Sequence, residues 1–164
     1  RGPRSDEQDF LYGNWLMEVK SQMSSSDRKI HVSSQDQLDP VSGKIILCHQ
    51  TLGVSSETDP NARTLKGLVQ EIREIVSAED HYAGDLLEGN LIEVGYTDHE
   101  DYDRDFLLLN QRLFFRVEGA FPRIVAADIS PGIENVSYSI RIEECAGWEL
   151  AELDVTDQVF SGND

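Results

Sequence analysis

The sequence predicts an α/β fold, and three observations carry that expectation. Gly13-Asn14 divides the stretch from Asp9 to Lys20 into two arms of strand character. Strand, strand, strand, short helix and strand then succeed one another up to Leu52. Beyond them, two apolar stripes at helical spacing occupy residues 64–94, and strand-like runs return from Phe106 onward.

The first element is a β-hairpin. Gly followed by Asn suits a type II′ two-residue turn, whose twist matches that of its flanking strands. Folding there sets Tyr12 opposite Trp15, Leu11 opposite Leu16, Phe10 opposite Met17, and Asp9 opposite Glu18. Alternation puts Lys20 on the face of Glu18. Arg28–Val32 forms a third strand, expected to adjoin the Glu18 strand and so to bring His31 near it. Ser34-Gln35-Asp36-Gln37 has the form of a capping box and opens a brief helix that Pro40 limits. The next strand, Lys44–Leu52, is apolar at its start, as a central strand should be.

Thr64 caps a helix to about Ser77 that aligns Leu65, Leu68, Val69, Ile72 and Val76. A second helix over His81–Val94 carries Leu86, Leu87 and Leu91 and stops at Gly95. Residues 97–105 form an acidic loop. Phe106–Val117, Arg123–Ala127 and Val136–Ile142 read as strands, and residues 154–164 as a frayed polar tail.

The hairpin register brings two carboxylates and an ammonium to one sheet edge. Like charges opposite each other destabilise a sheet. A divalent cation between them turns that repulsion into binding, since Mg²⁺ favours a few carboxylates plus water and substrate phosphate. An exposed hairpin with an ordinary Glu-Lys pair carries the same letters, so the pattern alone does not decide.

Strand, strand with Glu18-Val19-Lys20, strand, helix, strand is the core order of the PD-(D/E)XK nuclease superfamily, which this chain resembles. More narrowly it resembles the prokaryotic PD-(D/E)XK motif proteins. The resemblance runs through Trp15–Ser21, Val32-Ser33-Ser34 with Gln37-Leu38-Asp39, Leu113–Val117, Phe121–Ile124, and Pro131-Gly132-Ile133 with Val136–Ile140. It implies a restriction-endonuclease-like core over residues 1–55, with a mixed central sheet flanked by helices. A helical and antiparallel-strand extension of the same domain follows over 56–153. Asp9 and Glu18 would hold Mg²⁺, with Mn²⁺ as a substitute and the Val19 carbonyl as a further ligand. Lys20 would position the attacking water or help deprotonate it. Gln37 either orients a phosphate or that water, or only completes its capping box. Gln8 stands where the superfamily often has Pro. Relatives carry a longer N-terminal part with a helix and often another acid. The chain is therefore expected to be the C-terminal portion of a longer protein, N-terminally incomplete as a fold, with Phe10 and Leu16 on an uncovered face. The implied activity is DNA hydrolysis in restriction or phage defence, with DNA, the N-terminal part and other defence subunits as partners.

Composition bounds these expectations. A chain of 164 residues with 39% hydrophobic content suits one domain. No apolar run approaches the roughly 20 residues of a membrane span, so the chain is expected to be soluble and cytoplasmic, with no membrane partner. Cys48 and Cys145 make no disulfide framework. The four histidines lie in separate elements without zinc-site spacing, and Cys48 and His49, as strand neighbours, point to opposite faces. Asp101, Asp103 and Asp105 have calcium-loop spacing, but Phe106 stands where that loop needs Gly and Arg112 where it needs Glu. A net charge of −17 argues against a simple DNA-binding module. Either the N-terminal part supplies basic surface, or Arg4, Lys20, Arg28 and Lys29 make a local patch. The competing class is a non-catalytic structural or assembly subunit of the same fold that docks on a protein partner.

Overall fold

The computed structural model describes residues 8–39, 43–79 and 81–160, and in it the chain turns back at Gly13-Asn14. Gly13 takes a φ of 56° and Asn14 stays out of the positive region, as a type II′ turn requires. β1 (Phe10–Tyr12) pairs antiparallel with β2 (Trp15–Met23) in the expected register, Phe10 with Met17, Leu11 with Leu16, Tyr12 with Trp15. The remaining strands are β3 (Lys29–Val32), β4 (Lys44–Val54), β5 (Leu107–Val117), β6 (Tyr138–Arg141) and β7 (Glu149–Leu150). The main sheet runs β1-β2-β4-β5-β7, while β3 and β6 form a second, antiparallel pair.

The main sheet is mixed, with one parallel pair. Lys44 N–H donates to the Asn14 carbonyl at 2.9 Å, so β2 and β4 begin side by side and run parallel. Parallel neighbours need a crossover, and the chain through β3 and the 3₁₀ turn Gln35–Leu38 supplies it. At the far end, Ser55 N–H reaches the Phe106 carbonyl at 2.8 Å, which sets β5 antiparallel to β4.

Alternation then sorts the strands into two cores. Leu16, Ile45, Leu47, Phe115 and Val117 face Ile30, Val32, Leu38, Ile140, Ile142 and Cys145. On the opposite face Ile46, Cys48 and Phe114, with Trp15, Met17 and Val19, pack on Val155 and Val159 of α3 (Glu152–Phe160).

Three expectations are corrected here. The strand at 28–32 does not join the Glu18 strand. Ile30 and Val32 are fully buried while Lys29 and His31 are exposed, so β3 has one apolar face and lies flat as part of a second layer. Arg123–Ala127 is not a strand. Arg123 Nη1 donates to the Leu38 carbonyl at 2.7 Å and Ala126 N–H to Asp39 Oδ2 at 2.8 Å, and a 3₁₀ turn occupies Ala126–Asp128. The tail expected to fray is helical from Glu152 to Phe160, because Val155 and Val159, four residues apart, share one buried face. Residues 161–164 lie outside the described residues.

Phe10 is 63% exposed, as expected, but Leu16 is half-buried against the first core. An apolar groove of about 300 Å³, lined by β1 and β2 residues with Ile46 and Val159, remains on the α3 side.

The chain forms two compact units, one of residues 1–51 with 111–164 and one of residues 52–110. The second holds α1 (Leu65–Glu79) and α2 (His81–Glu93). Thr64 Oγ1 caps α1 by accepting from Gly67 N–H at 3.0 Å. Gly95, at a φ of 77°, ends α2 with paired bonds from Gly95 N–H to Ile92 and from Tyr96 N–H to Leu91. In the acidic loop, Asp103 accepts from the Thr64 hydroxyl at 2.9 Å and Asp101 pairs with Arg104 at 2.6 Å. These carboxylates serve the loop's own structure.

The α3 packing has a direct check. Val159→Ala should lower stability by about 1.5–3 kcal/mol, from the lost methyl burial and the space left behind. Urea unfolding of the two proteins measures it; an unchanged midpoint would mean that the helix does not dock.

Candidate active site

Along β2, Leu16 faces the first core and Met17 the second, so Glu18 and Lys20 fall on the face of the first. Glu18 is only 1% exposed. Lys20 Nζ lies 2.6 Å from Glu18 Oε1 and donates to Gln37 Oε1 at 3.1 Å. The buried Gln37 also accepts from Ser33 N–H at 2.9 Å and Ser33 Oγ at 3.1 Å. Ser34 caps the 3₁₀ turn through Asp36 N–H. Gln37 therefore does not close the reciprocal box with Ser34; it reaches one residue further back and steadies the lysine.

Asp9 stands just before β1. Its N–H donates to the Met17 carbonyl at 3.1 Å, and its Oδ2 accepts from Val19 N–H at 2.8 Å. Gln8 Nε2 donates to the Asp36 carbonyl at 3.0 Å, tying the approach to Asp9 to the turn that carries Gln37. Asp9, Glu18, Val19, Lys20 and Gln37 are thus gathered around one stretch of β2. Sequence reasoning missed Gln8 and Ser33 as supports, since neither contact is local to a single element.

Burial is the chief force on Glu18, and it pushes the carboxyl pKa up. The Lys20 hydrogen bond and charge pull it down, the negative charge of Asp9 pushes it up again, and the net direction is upward. Glu18 Oε2 has no hydrogen-bond partner. A buried carboxylate oxygen left unpaired is costly, and such an oxygen beside a second acid suits a hard divalent cation. Among the described residues, no group of three or more His, Cys, Asp or Glu is placed to hold a metal. An ion here would rest on two carboxylates, main-chain oxygen and water.

Of the local patch offered as one source of basic surface, the described members are paired with acids. Arg28 pairs with Glu143, Lys29 with Asp27 and Lys20 with Glu18, while Arg4 lies outside the described residues. His31 sits opposite Ser139 in the second sheet. His49, by contrast, is 1% exposed with both ring nitrogens unpartnered. Alternation along β4 puts His49 on the face of Ile45 and Leu47, the first-core face of the sheet. Burial, and then the charge of Arg28, hold its pKa down. Cys48, on the other face, is separate from it. The alternation of Ile45, Leu47 and His49 carried this signal in the sequence.

A family model described as "Putative PD-(D/E)XK family member, (DUF4420)" matches residues 1–143. The chain belongs to this family. No curated protein and no solved structure matches it. As a PD-(D/E)XK family member it has a nuclease-like fold, and its mixed five-stranded sheet, helices and separate antiparallel pair agree with a restriction-endonuclease-like architecture. No helix among the described residues is long and apolar enough to cross a membrane.

The raised Glu18 pKa gives the candidate site a pH signature. A carboxyl whose folded pKa exceeds its ordinary 4.5 supports the fold fully below that value and loses this support as pH rises through the folded pKa. Glu18→Gln removes the titration. In EDTA, the variant should therefore gain on the parent between about pH 4 and about pH 7. Urea unfolding at both pH values reads this. A variant that loses ground toward pH 7 would show that the Lys20 pair outweighs burial.

Proposed function

We propose that this chain is a metal-dependent endonuclease-like domain that hydrolyses DNA phosphodiester bonds, acting in restriction or phage defence in the cytoplasm. The observation that carries the reading is the buried Glu18 carboxylate, with one oxygen on Lys20, the other unpartnered, and Asp9 at the same strand edge. Asp9 and Glu18 would hold Mg²⁺, with Mn²⁺ as a substitute. The Val19 carbonyl is a further candidate, because an extended residue directs its N–H and C=O to the same side and Val19 N–H meets Asp9. Bound there, the ion would lower the pKa of a water and offset charge on the phosphate.

The chain's own groups do the rest. Lys20 Nζ, held by Glu18 and Gln37, is a fixed donor for a phosphate oxygen or for the attacking water. Gln37 orients Lys20, and Ser33 fixes Gln37. The surrounding first core keeps bulk water from Glu18, which strengthens each of these contacts.

A second reading, a non-catalytic assembly subunit, draws on the net charge of −17 and on the neutralised patch. Such an acidic surface suits a basic protein partner.

Plasmid nicking separates the two. Cleavage should require Mg²⁺ or Mn²⁺ and stop in EDTA, and Glu18→Gln and Lys20→Ala should each lower the rate by about 100-fold or more. Lys20→Ala should keep more metal affinity than Asp9→Ala, since the lysine serves water and phosphate. No metal-dependent cleavage by the parent would replace the nuclease with the assembly subunit.

A further inference from the structure

Most of the positive charge among the described residues is paired with the chain's own acids. Among the described residues, Lys20, Arg28, Lys29, Arg63, Lys66, Arg73, Arg104, Arg112 and Arg141 each lie within 3.5 Å of a carboxylate oxygen. Three cations depart from that pattern, and they line one cavity.

The cavity, of about 560 Å³, opens where β4 begins and β5 ends, and Lys44, Arg116 and Arg123 contribute to its wall. Each is held chiefly by a neutral group. Lys44 Nζ sits over the Trp15 ring, 5.0 Å from its centroid. Arg123 Nη1 donates to the Leu38 carbonyl at 2.7 Å. Arg116 Nη2 donates to Gln158 Oε1, and its buried Nε has no partner. The exposed Glu118, which also lines the cavity, lies 3.9 Å from Arg116 Nη1. Carbonyl, amide and ring orient these side chains without neutralising them. In a chain with 31 acids and 14 bases, three cations on one cavity wall, of which Arg116 has only an exposed carboxylate at 3.9 Å, repel one another unless an anion joins them.

We propose that this cavity is a phosphate-binding site that takes a backbone phosphodiester of a nucleic-acid strand. The volume suits a phosphate with part of its sugar, and guanidinium groups suit phosphate oxygens. The choice of a nucleic acid as the source rests on the nuclease reading above. Trp15 lies three residues from Glu18 on β2 and faces the other side of the sheet, so the cavity would grip a stretch of backbone apart from the bond to be cut.

Binding of a fluorescein-labelled duplex, measured by anisotropy in EDTA on a Glu18→Gln background, tests the site apart from cleavage. Lys44→Gln, a change at an exposed side chain, should weaken binding and lower the slope of log K against log salt by about 0.9; Lys44→Arg should restore both. Arg123→Gln should act likewise, and its unfolding curve shows whether the lost Leu38 bond disturbs the fold. Unchanged affinity and slope in Lys44→Gln, or no duplex binding by the parent, overturns the proposal whether or not the intact protein cuts DNA. Inorganic phosphate is titrated separately against tryptophan emission. A Lys44-dependent response to phosphate, with duplex binding indifferent to Lys44, would identify a free-anion site and also overturn it. Loss of nicking with the Lys44-dependent slope intact would sink the nuclease and leave the cavity's assignment standing.

Discussion

A carboxylate taken out of water needs a cation, and β2 supplies one two residues away. Lys20 Nζ stands 2.6 Å from Glu18 Oε1, and much else in the molecule supports that contact. β1 and β4 flank β2 in the sheet, Gln37 holds the lysine and Ser33 fixes Gln37, and the crossover from β2 to β4 brings both of those residues into place. The pair satisfies only one oxygen of Glu18. Burial with an incomplete partner set is a costly arrangement in a folded protein, and the proposed metal site rests on that cost together with the nearby charge of Asp9.

The parts legible in the sequence are those fixed by short-range chemistry. Gly13 needs a positive φ, and that one turn sets the register of β1 on β2. The Thr64 cap and the Gly95 stop bound their helices through bonds spanning three to five residues. The parts that escaped are decided by distant partners. Ile30 and Val32 read equally well as a strand within the main sheet or one lying on it, and only the pairing with β6 separates the two. Residues 152–160 carry acids at Glu152, Asp154 and Asp157 and look like a solvated tail. Val155 and Val159 become informative only once Ile46 and Phe114 form the surface they cover. Gln37 showed as a capping residue by spacing alone, whereas its contact with Lys20 crosses from one element to another.

Charge distribution reconciles a nuclease-like fold with a strongly acidic chain. Net charge governs long-range steering and solubility, while binding depends on where the few uncompensated cations sit. Here the acids are spent locally: Arg73 alone engages Glu88 and Asp98, and the loop acids engage Thr64, Lys66 and Arg104. Removing Arg28 and Lys29 from the expected patch shifts attention to Lys44, Arg116 and Arg123, at the end of the sheet where β2 and β4 begin.

The central claim is that Glu18 and Asp9 complete their coordination with a divalent ion. Thermal unfolding of the parent across a Mn²⁺ titration measures it most directly. A ligand bound by the folded state alone raises the midpoint in proportion to the logarithm of its concentration once saturating, so the parent's Tm should climb with Mn²⁺ and that of Glu18→Gln should stay nearly flat. A parent whose Tm ignores Mn²⁺, or a variant that climbs in step with it, would contradict the account.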